Sequence, residues 1–341
     1  MRILHVDNLM IRYFGWSSPS SGRSLLFGSI RNGWRMCEFS DRDIARFEAP
    51  LGIRPLGRWQ ANRRLIETCD NFRPDLLIFG HCDIIRNATL QEIRRNLPGV
   101  RIAHWNHDAL WVPSNIASLH ARMPHVDALF VTTGGQALRE FCTGRNVVAY
   151  MPNPVDPALE DQDNSRKTIF DRDVVFCGVG ETSDDRYALL ARLRTLLPPG
   201  VRLEWFGMLG RPPVWAAQYD AVLAGSRMGL NLNRFEGWPL YSSDRIAQLM
   251  GNGVLTFLAD QSGMRRFFSD EQVVYFTDVD SLARRIVEFG ADDARRQAVA
   301  TAGRAYYHKH FSSQQVMRFI AETALGLPYS QNYLWADEVY R

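Results

Sequence analysis

The chain has 341 residues, of which 46% are hydrophobic and 23% charged, with a net charge of +3. These values are typical of a soluble globular protein, and the length suits two domains that each bury a core. The sequence holds no run of 18 apolar residues, its first residues read as a strand without a signal-peptide core, and five cysteines show no CxxC pair. We therefore expect a cytoplasmic protein with reduced thiols and no transmembrane helix.

The positive charge is concentrated in the first half of the chain. Residues 1–155 hold 19 arginines and 13 acidic residues, a net charge of +6, whereas the remainder has a net charge of −3. Such a basic half favours contact with anionic lipid headgroups or acidic glycans, and so predicts a peripheral association with the inner face of a membrane. Arginine-rich coding bias is an equal alternative, because the only lysines are Lys167 and Lys309. Basic runs with interleaved aromatic residues are absent from the sequence, so we expect no nucleic-acid partner.

Strand and helix patterns alternate along the first 152 residues. The predicted strands are Met1–Asp7, Trp34–Phe39, Pro74–Gly80, Val100–Trp105, Ala128–Thr132 and Val147–Met151. The predicted helices are Gly22–Asn32, Ala61–Phe72, Thr89–Leu97, Ser114–Met123 and Gln136–Cys142. This alternation indicates a doubly wound parallel sheet.

A second alternation follows residues 153–172, which are rich in proline and then in polar residues and therefore read as a linker. Its predicted strands are Asp173–Cys177, Arg202–Phe206, Met228–Leu232, Val254–Leu258 and Val273–Phe276. Its predicted helices are Arg186–Leu197, Val214–Ala224, Ser281–Phe289, Asp292–His308 and Ser313–Leu325, with a further helix that runs to Met250 after an N-cap at Ser242, Ser243 or Asp244. The sequence thus predicts an α/β protein with two Rossmann-like domains.

The stretch from Met228 to Leu258 predicts a strand, a loop, a helix and a further strand. Ser242, Ser243 and Asp244 are each suitable N-caps for the helix. Unpaired N–H groups and the helix dipole make such a helix start favourable for binding phosphate.

The same stretch resembles the donor-site helix of the CgeB-like (spore maturation type) glycosyltransferases, relatives of glycosyltransferase family 4. The resemblance rests on Arg245, then Gln248 three positions on, then Gly253. The family has glutamate where this chain has Gln248, and the resemblance implies that this side chain holds the ribose of a nucleotide sugar. A second family glutamate falls on Leu240, and Glu236 nearby is a candidate to replace it.

Three further stretches extend the resemblance over most of the chain: residues 151–156 (Met-Pro-Asn-Pro-Val-Asp), 173–178 (Asp-Val-Val-Phe-Cys-Gly) and 302–311. The resemblance implies the GT-B fold, in which two doubly wound domains face each other across a cleft. It predicts an acceptor-side domain at 1–152, a linker at 153–172, a nucleotide-sugar-binding domain at 173–325, and a segment at 326–341 that crosses back to the first domain.

Gly178 and Gly180 lie between a predicted strand and helix, where glycine allows backbone to approach a phosphate. By the resemblance, Arg186 would contact the diphosphate. Two alternatives stay open: a plain turn without ligand, and a dinucleotide fingerprint in which Ser183 replaces the third glycine and Glu204 is the ribose acid.

His81 and Asp108 each follow a predicted strand of the first half, and strand ends line the ligand crevice of such sheets. The resemblance favours both as catalytic-cleft residues, the alternatives being a loop histidine and a helix-capping aspartate. Asp-x-Asp sequences begin at Asp41, Asp161, Asp171 and Asp278 and read as solvated turns or caps. We therefore expect no metal and no cofactor.

The sequence as a whole predicts a hexosyltransferase-type enzyme, independent of metal and retaining by resemblance. It would move a sugar from a nucleotide sugar to a glycan or lipid-linked acceptor. Two other functions stay open: a non-catalytic nucleotide or sugar binder, and an NAD-linked enzyme.

Overall fold

A computed structural model describes residues 1–16, 21–234 and 237–341. The chain divides into two compact units, one formed by Met1–Pro152 with Ser313–Arg341 and the other by Asn153–Ser312. Within the described ranges, no helix combines the length and apolar character needed to span a bilayer. All five cysteines are unpaired, with Cys69 and Cys82 buried.

The helices and strands follow one another in chain order. Up to Pro152 they are β1 (Arg2–Asp7), α1 (Ser21–Arg31), β2 (Arg35–Ser40), α2 (Asp41–Phe47), α3 (Arg58–Phe72), β3 (Leu76–Phe79), α4 (Asn87–Asn96), β4 (Arg101–Asn106), α5 (Pro113–Arg122), β5 (Ala128–Val131) and β6 (Val147–Tyr150). The second unit contains β7 (Arg172–Cys177), α6 (Asp185–Leu196), β8 (Leu203–Phe206), α7 (Ala216–Ala224), β9 (Ser226–Asn231), α8 (Arg245–Gly251), β10 (Leu255–Ala259), β11 (Val274–Phe276), α9 (Val279–Ala291) and α10 (Asp293–His310). The chain ends with α11 (Ser313–Leu325) and β12 (Val339–Tyr340).

Each unit is built on one sheet. The first has the strand order β12-β6-β5-β4-β3-β1-β2, parallel throughout except for the antiparallel pair β12 and β6. The second has the order β11-β10-β9-β7-β8 and is parallel. The central strands are buried runs of apolar residues such as Leu76–Phe79 and Ala128–Val131, because helices cover both faces of a parallel sheet. The predicted doubly wound α/β architecture is confirmed in both units.

The units differ from the predicted domain limits at helix α11, which was assigned to the second domain and belongs to the first unit. Phe319 on this helix packs edge-on against Phe130 of β5, with ring centroids 6.0 Å apart. Helix α1 also packs closely against α11, since a Cβ at Gly28 would lie 2.1 Å from the carbonyl oxygen of Ser313. The amphipathic pattern of α11 predicts that it packs but not on which sheet.

The predicted linker also differs, because Asn153–Arg172 is part of the second unit. Its polar side chains bond to backbone of that unit: the amide of Asn164 donates to the carbonyls of Leu223 and Ser226, at 2.6 and 2.8 Å. The amide of Asn153 likewise donates to Ser242. A polar composition is typical of linkers, but buried asparagine used in this way is structural.

Candidate functional site

The sheet of the second unit reverses its strand order between β7 and β9. Strand β8 lies on one side of β7, while β9, β10 and β11 extend on the other. In open parallel sheets, ligands bind beyond the carboxyl ends of the strands at such a switch point. Here those ends lead into Gly178 and Leu232, so the loops that follow β7 and β9 form the candidate site.

Arg245 holds the two strand ends together. Its Nε donates to the carbonyl of Cys177 at 2.6 Å and its Nη1 to the carbonyl of Leu232 at 3.1 Å. The guanidinium lies over the Phe176 ring, 4.7 Å from the centroid. Burial lowers the pKa of Arg245, but a guanidinium still carries its charge at neutral pH. The predicted donor-site arginine therefore places a fixed cation at the switch point.

Arg186 is the second residue of α6 and is 5% exposed. Its Nε and Nη2 donate to the two carboxylate oxygens of Asp184 at 2.8 and 2.5 Å, and Nη2 also donates to the carbonyl of Val179 at 3.0 Å. Burial by itself would raise the pKa of Asp184, but its hydrogen bonds with Arg186 bring that pKa below its ordinary value. Arg186 is thus locked against the turn that contains the predicted glycines.

The two glycines of that turn leave space for the arginines. A Cβ at Gly178 would lie 2.8 Å from Nη2 of Arg245, and one at Gly180 would lie 2.9 Å from Nη2 of Arg186. Both distances are shorter than side-chain contacts in proteins, so any larger residue would displace a guanidinium. The glycines and arginines predicted as donor-binding are therefore brought together.

Arg234 is a third cation at this turn, which the sequence did not single out. Its Nη2 donates to the same Val179 carbonyl at 3.2 Å, and its Nε lies 3.8 Å from Asp184. Three arginines thus surround this turn. Among the described residues, Asp184 is the one carboxylate that pairs with any of them, and it pairs with Arg186 and Arg234. Tyr241 stands nearby: burial raises its pKa, and all three arginines oppose that rise. The sequence signal that could have identified Arg234 was its position in the loop after a switch-point strand.

The helix starts after Asp244, the last of its three predicted N-cap candidates. Helix α8 begins at Arg245, and its N-cap residue Asp244 makes no side-chain capping bond. The hydroxyl of Ser242 is buried and accepts from the amide of Asn231 at 3.1 Å, while the Ser243 hydroxyl donates to the same amide at 3.4 Å. These serines do not cap the helix, because Asn231 at the end of β9 binds them instead.

Gln248 is already engaged within the protein. Its Oε1 accepts a hydrogen bond from the hydroxyl of Tyr219 at 2.5 Å. Tyr219 is buried, and burial raises its pKa well above the ordinary value. The amide nitrogen of Gln248 forms no hydrogen bond among the residues that the structure describes. Glu236, the other predicted ribose contact, lies outside the described residues.

The dinucleotide alternative requires Glu204 to be available at the end of a strand. Glu204 is instead the second residue of β8, and its carboxylate accepts from Nε of Arg172 at 2.9 Å. This placement weighs against a role in holding the ribose of NAD.

In the first unit, His81 and Asp108 come together at the carboxyl ends of β3 and β4. His81 Nδ1 lies 3.6 Å from the Asp108 carboxylate, and the His81 backbone N–H donates to Asp7 at 3.0 Å. The carboxylate raises the pKa of His81, and the imidazole lowers the pKa of Asp108. Both residues line a cavity of about 110 Å³, whose volume matches roughly four water molecules.

The same cavity is lined by His104 and Arg122, which sequence reasoning missed. Burial lowers the pKa of His104 to about 3 and also lowers that of Arg122. Arg122 donates to the carbonyl of Ile85 at 2.9 Å and forms no ion pair with any described residue. Arg122 is therefore the uncompensated cation of this cavity.

His81 and Asp108 also belong to the one group of possible metal ligands found among the described residues, with His107 as its third member. Their ligand atoms lie within 4.8 Å of one another. The rings of His81 and His107 stack, with centroids 6.0 Å apart. A zinc ion would need each of these ligand atoms about 2.0–2.2 Å from the metal.

Comparison with solved structures extends over nearly the whole chain. HepE from Anabaena, solved in complex with UDP and glucose, has a TM-score of 0.61 and 13% identity over 96% of this chain and all of its own. Sucrose-phosphate synthase from Thermosynechococcus elongatus gives 0.61 and 13%, covering 94% of this chain and 98% of its own. The chain has the GT-B fold. The β-glucosyltransferase of phage T4 has a TM-score of 0.55 and 12% identity over 96% of this chain and 100% of its own.

Residues 186–322 match the family described as glycosyl transferase-like. The match begins at Arg186 and includes Arg234 and Arg245. No curated protein sequence matches the chain.

Proposed function

We propose that this GT-B protein is a glycosyltransferase that takes a sugar from a nucleotide-sugar donor. The observation that carries the proposal is the cluster of Arg186, Arg234 and Arg245 at the switch point of the second unit. The family match over residues 186–322 supports it, as does the binding of UDP and UDP-glucose by Anabaena HepE.

The three arginines would receive the diphosphate of the donor. When the bond from sugar to phosphate breaks, negative charge grows on the leaving diphosphate, and fixed cations stabilise that charge most effectively. Arg186 is held by Asp184 and the Val179 carbonyl, and Arg245 by two strand ends, so neither must reorganise during the reaction. Arg234, whose side chain is more than half exposed, would move onto the phosphate.

Gln248 would hold the ribose through its amide nitrogen. Tyr219 fixes the oxygen of the amide, which orients the N–H donors in one direction. A ribose hydroxyl can accept such a bond. This replaces the charged acceptor that the family's glutamate would supply.

His81 and Asp108 would position hydroxyl groups of the acceptor or the donor sugar. Their ion pair keeps Asp108 ionised and His81 protonated to a higher pH than usual, and Arg122 adds a cation to the cavity that they line. We further propose a hexosyl donor, a glycan or lipid-linked acceptor, retention of anomeric configuration, membership of the CgeB-like group, and work at the inner face of a membrane. The first unit's excess of arginine and the motifs around Arg245 support these finer assignments.

A second candidate function is a non-catalytic nucleotide-sugar binder. Gln248 in place of glutamate, with its oxygen engaged by Tyr219, favours this candidate. The two functions differ in turnover alone, since both require the arginine cluster.

The test compares Arg186→Gln with Arg192→Gln in the full chain. Arg192 lies on the same helix with an exposed side chain, so it is a matched control. UDP binding is measured by calorimetry, and UDP release is measured from UDP-glucose and other nucleotide sugars, with and without EDTA. We expect Arg186→Gln to slow release about 100-fold, the usual effect of one lost transition-state donor, and to weaken UDP binding much less.

Binding of UDP without release of nucleotide from any donor would favour the non-catalytic candidate. Equal release by the two variants would remove Arg186 from the reaction. Activity abolished by EDTA and restored by manganese would contradict metal independence and direct attention to His81, His107 and Asp108.

A further inference from the structure

The first unit exposes large apolar side chains in two short segments, residues 11–16 and 46–63. Nine such side chains within the described residues lie there, among them Phe14, Phe47, Leu51, Leu56 and Trp59. Phe14 and Leu51 are each 95% exposed. Single exposed apolar residues are ordinary on protein surfaces, but contiguous groups mark interaction sites. The exposed side chains of these two segments are called the arginine–apolar surface.

The two segments lie side by side. Asp43 of α2 accepts the backbone N–H of Ile11 at 2.7 Å and pairs with the Arg12 guanidinium at 3.2 Å. Phe47 lies one turn further along the same helix, on the same side as Asp43. The second segment is tied to α2 as well, because Arg46 donates to the carbonyl of Gly52 at 3.0 Å. The exposed groups therefore form one surface.

Two of the exposed apolar side chains are attached to strained backbone. Phe14 has a φ of 51° and Leu51 a φ of 56°, in the left-handed region that L-residues with large side chains avoid. Neither side chain is buried among the described residues, so no packing within that part of the chain offsets this strain. Strain that persists without internal compensation is a sign of function.

The charge of the surface is positive. Residues 11–16 and 46–63 contain five arginines and one glutamate. Two of these arginines, Arg12 and Arg63, pair with Asp43 and Glu67 of neighbouring segments. That glutamate, Glu48, is paired with Arg64. Arg46, Arg54 and Arg58 form no ion pair with described residues, so their charge is available to a partner. Arginine beside exposed tryptophan, phenylalanine and leucine is the composition of surfaces that sit at the boundary of headgroups and acyl chains.

We propose that the arginine–apolar surface docks on a bilayer that carries anionic lipid headgroups, with Phe14 and Leu51 inserted below the headgroup level. The inference deepens the proposed function, on which it rests for the lipid-linked acceptor that such docking would serve. The position and composition of the surface do not depend on the proposed function. A protein partner or a second copy of the chain would need matching carboxylates, whereas a bilayer supplies both the charge and the apolar layer.

The test measures sedimentation of the full chain with vesicles of phosphatidylcholine alone and of phosphatidylcholine mixed with phosphatidylglycerol. We expect binding to the anionic vesicles that weakens with salt. The double variant Phe14→Asn, Leu51→Asn should bind the anionic vesicles with at least about tenfold lower affinity, since inserted apolar groups drive such binding. Arg54→Gln should reduce binding about fivefold on the anionic vesicles only.

Stability separates docking from a structural role. Asparagine tolerates a positive φ better than phenylalanine or leucine, so the double variant should unfold at the same temperature as the wild type or higher. Ile169→Asn is the matched control, because Ile169 is 88% exposed and lies in the second unit. It should leave vesicle binding unchanged.

Three results would overturn the proposal. One is equal sedimentation with and without vesicles. Another is equal binding by the double variant and the wild type. The third is concentration-dependent dimerisation that the double variant abolishes while vesicle binding persists, which would assign the surface to a second copy. UDP binding is measured on the same samples: its absence with intact vesicle docking would contradict the proposed function and leave this surface assigned.

Discussion

The bond between Tyr219 and Gln248 allows the sharpest test of the donor site. Tyr219 is buried on α7 and donates to the Gln248 side chain at 2.5 Å. Gln248→Ala leaves that hydroxyl buried without an acceptor, which should cost about 1–3 kcal/mol of unfolding free energy. Tyr219→Phe removes the donor and leaves a half-buried amide that water can reach, at a cost of about 0.5–1.5 kcal/mol.

The double variant should cost less than the sum of the two, because neither partner is left unsatisfied. We expect a coupling of about 1 kcal/mol, which corresponds to roughly 2–4 °C in the unfolding temperature of a unit of this size. Thermal unfolding of the four proteins measures it, and Gln218→Ala is the control, since Gln218 is exposed next to Tyr219. Additive effects within error would show that the bond contributes nothing.

Nucleotide affinity distinguishes packing from binding at the same residue. If the amide nitrogen holds the ribose, Gln248→Ala should weaken UDP binding about fivefold, while Tyr219→Phe, which keeps the amide, should weaken it less. Gln248→Glu restores the family's residue and should keep or strengthen binding. Unchanged affinity in Gln248→Ala would remove this residue from the site and leave the arginine cluster assigned.

Two further predictions concern titratable groups. Burial raises the pKa of Glu160 from 4.5 to about 8, so the folded protein retains a proton that the unfolded chain releases, and stability should fall as pH rises through this window. Glu160→Gln should unfold like the wild type near pH 4.5 and at a higher temperature near pH 8, where its gain in unfolding free energy has an upper limit of about 5 kcal/mol. Parallel curves of stability against pH for the two proteins would refute this. Asp108 raises the pKa of His81, so the stability that this pair contributes is present at low pH and lost as pH rises through the folded-state pKa of His81. Asp108→Asn should therefore lower the His81 pKa measured by NMR and destabilise the protein more at pH 6 than at pH 9. An unchanged His81 titration would contradict the pairing.

The sheets and their covering helices followed from alternation of strand and helix patterns, because burial on both faces leaves a strong apolar signature. The candidate site of the second unit was predicted only in part. Gly178, Arg186 and Arg245 were singled out by their positions in short motifs, whereas Arg234 lies in a loop whose course no local pattern dictates. Of the three N-cap candidates of α8, Ser242 and Ser243 do not cap the helix, because Asn231 of β9 binds their hydroxyls.

The first unit was harder to predict, since its features depend on contacts between distant segments. Arg122 enters the His81 cavity at the end of a helix that has no motif. The arginine excess of the first half was visible in the sequence, but the exposure of Phe14 and Leu51 depends on backbone angles that residue preferences oppose.

The return of the chain to the first unit has a consequence for biosynthesis. Residues 153–312 form a continuous segment, whereas the first unit is assembled from residues 1–152 and 313–341. During translation, the second unit can complete its sheet while the first still lacks helix α11 and strand β12. Until residues 313–341 leave the ribosome, the edge of β6 is uncovered and α1 has no partner at Gly28. The first unit therefore finishes folding after the second, and a nascent chain stalled before Ser313 would expose a sheet edge open to aggregation.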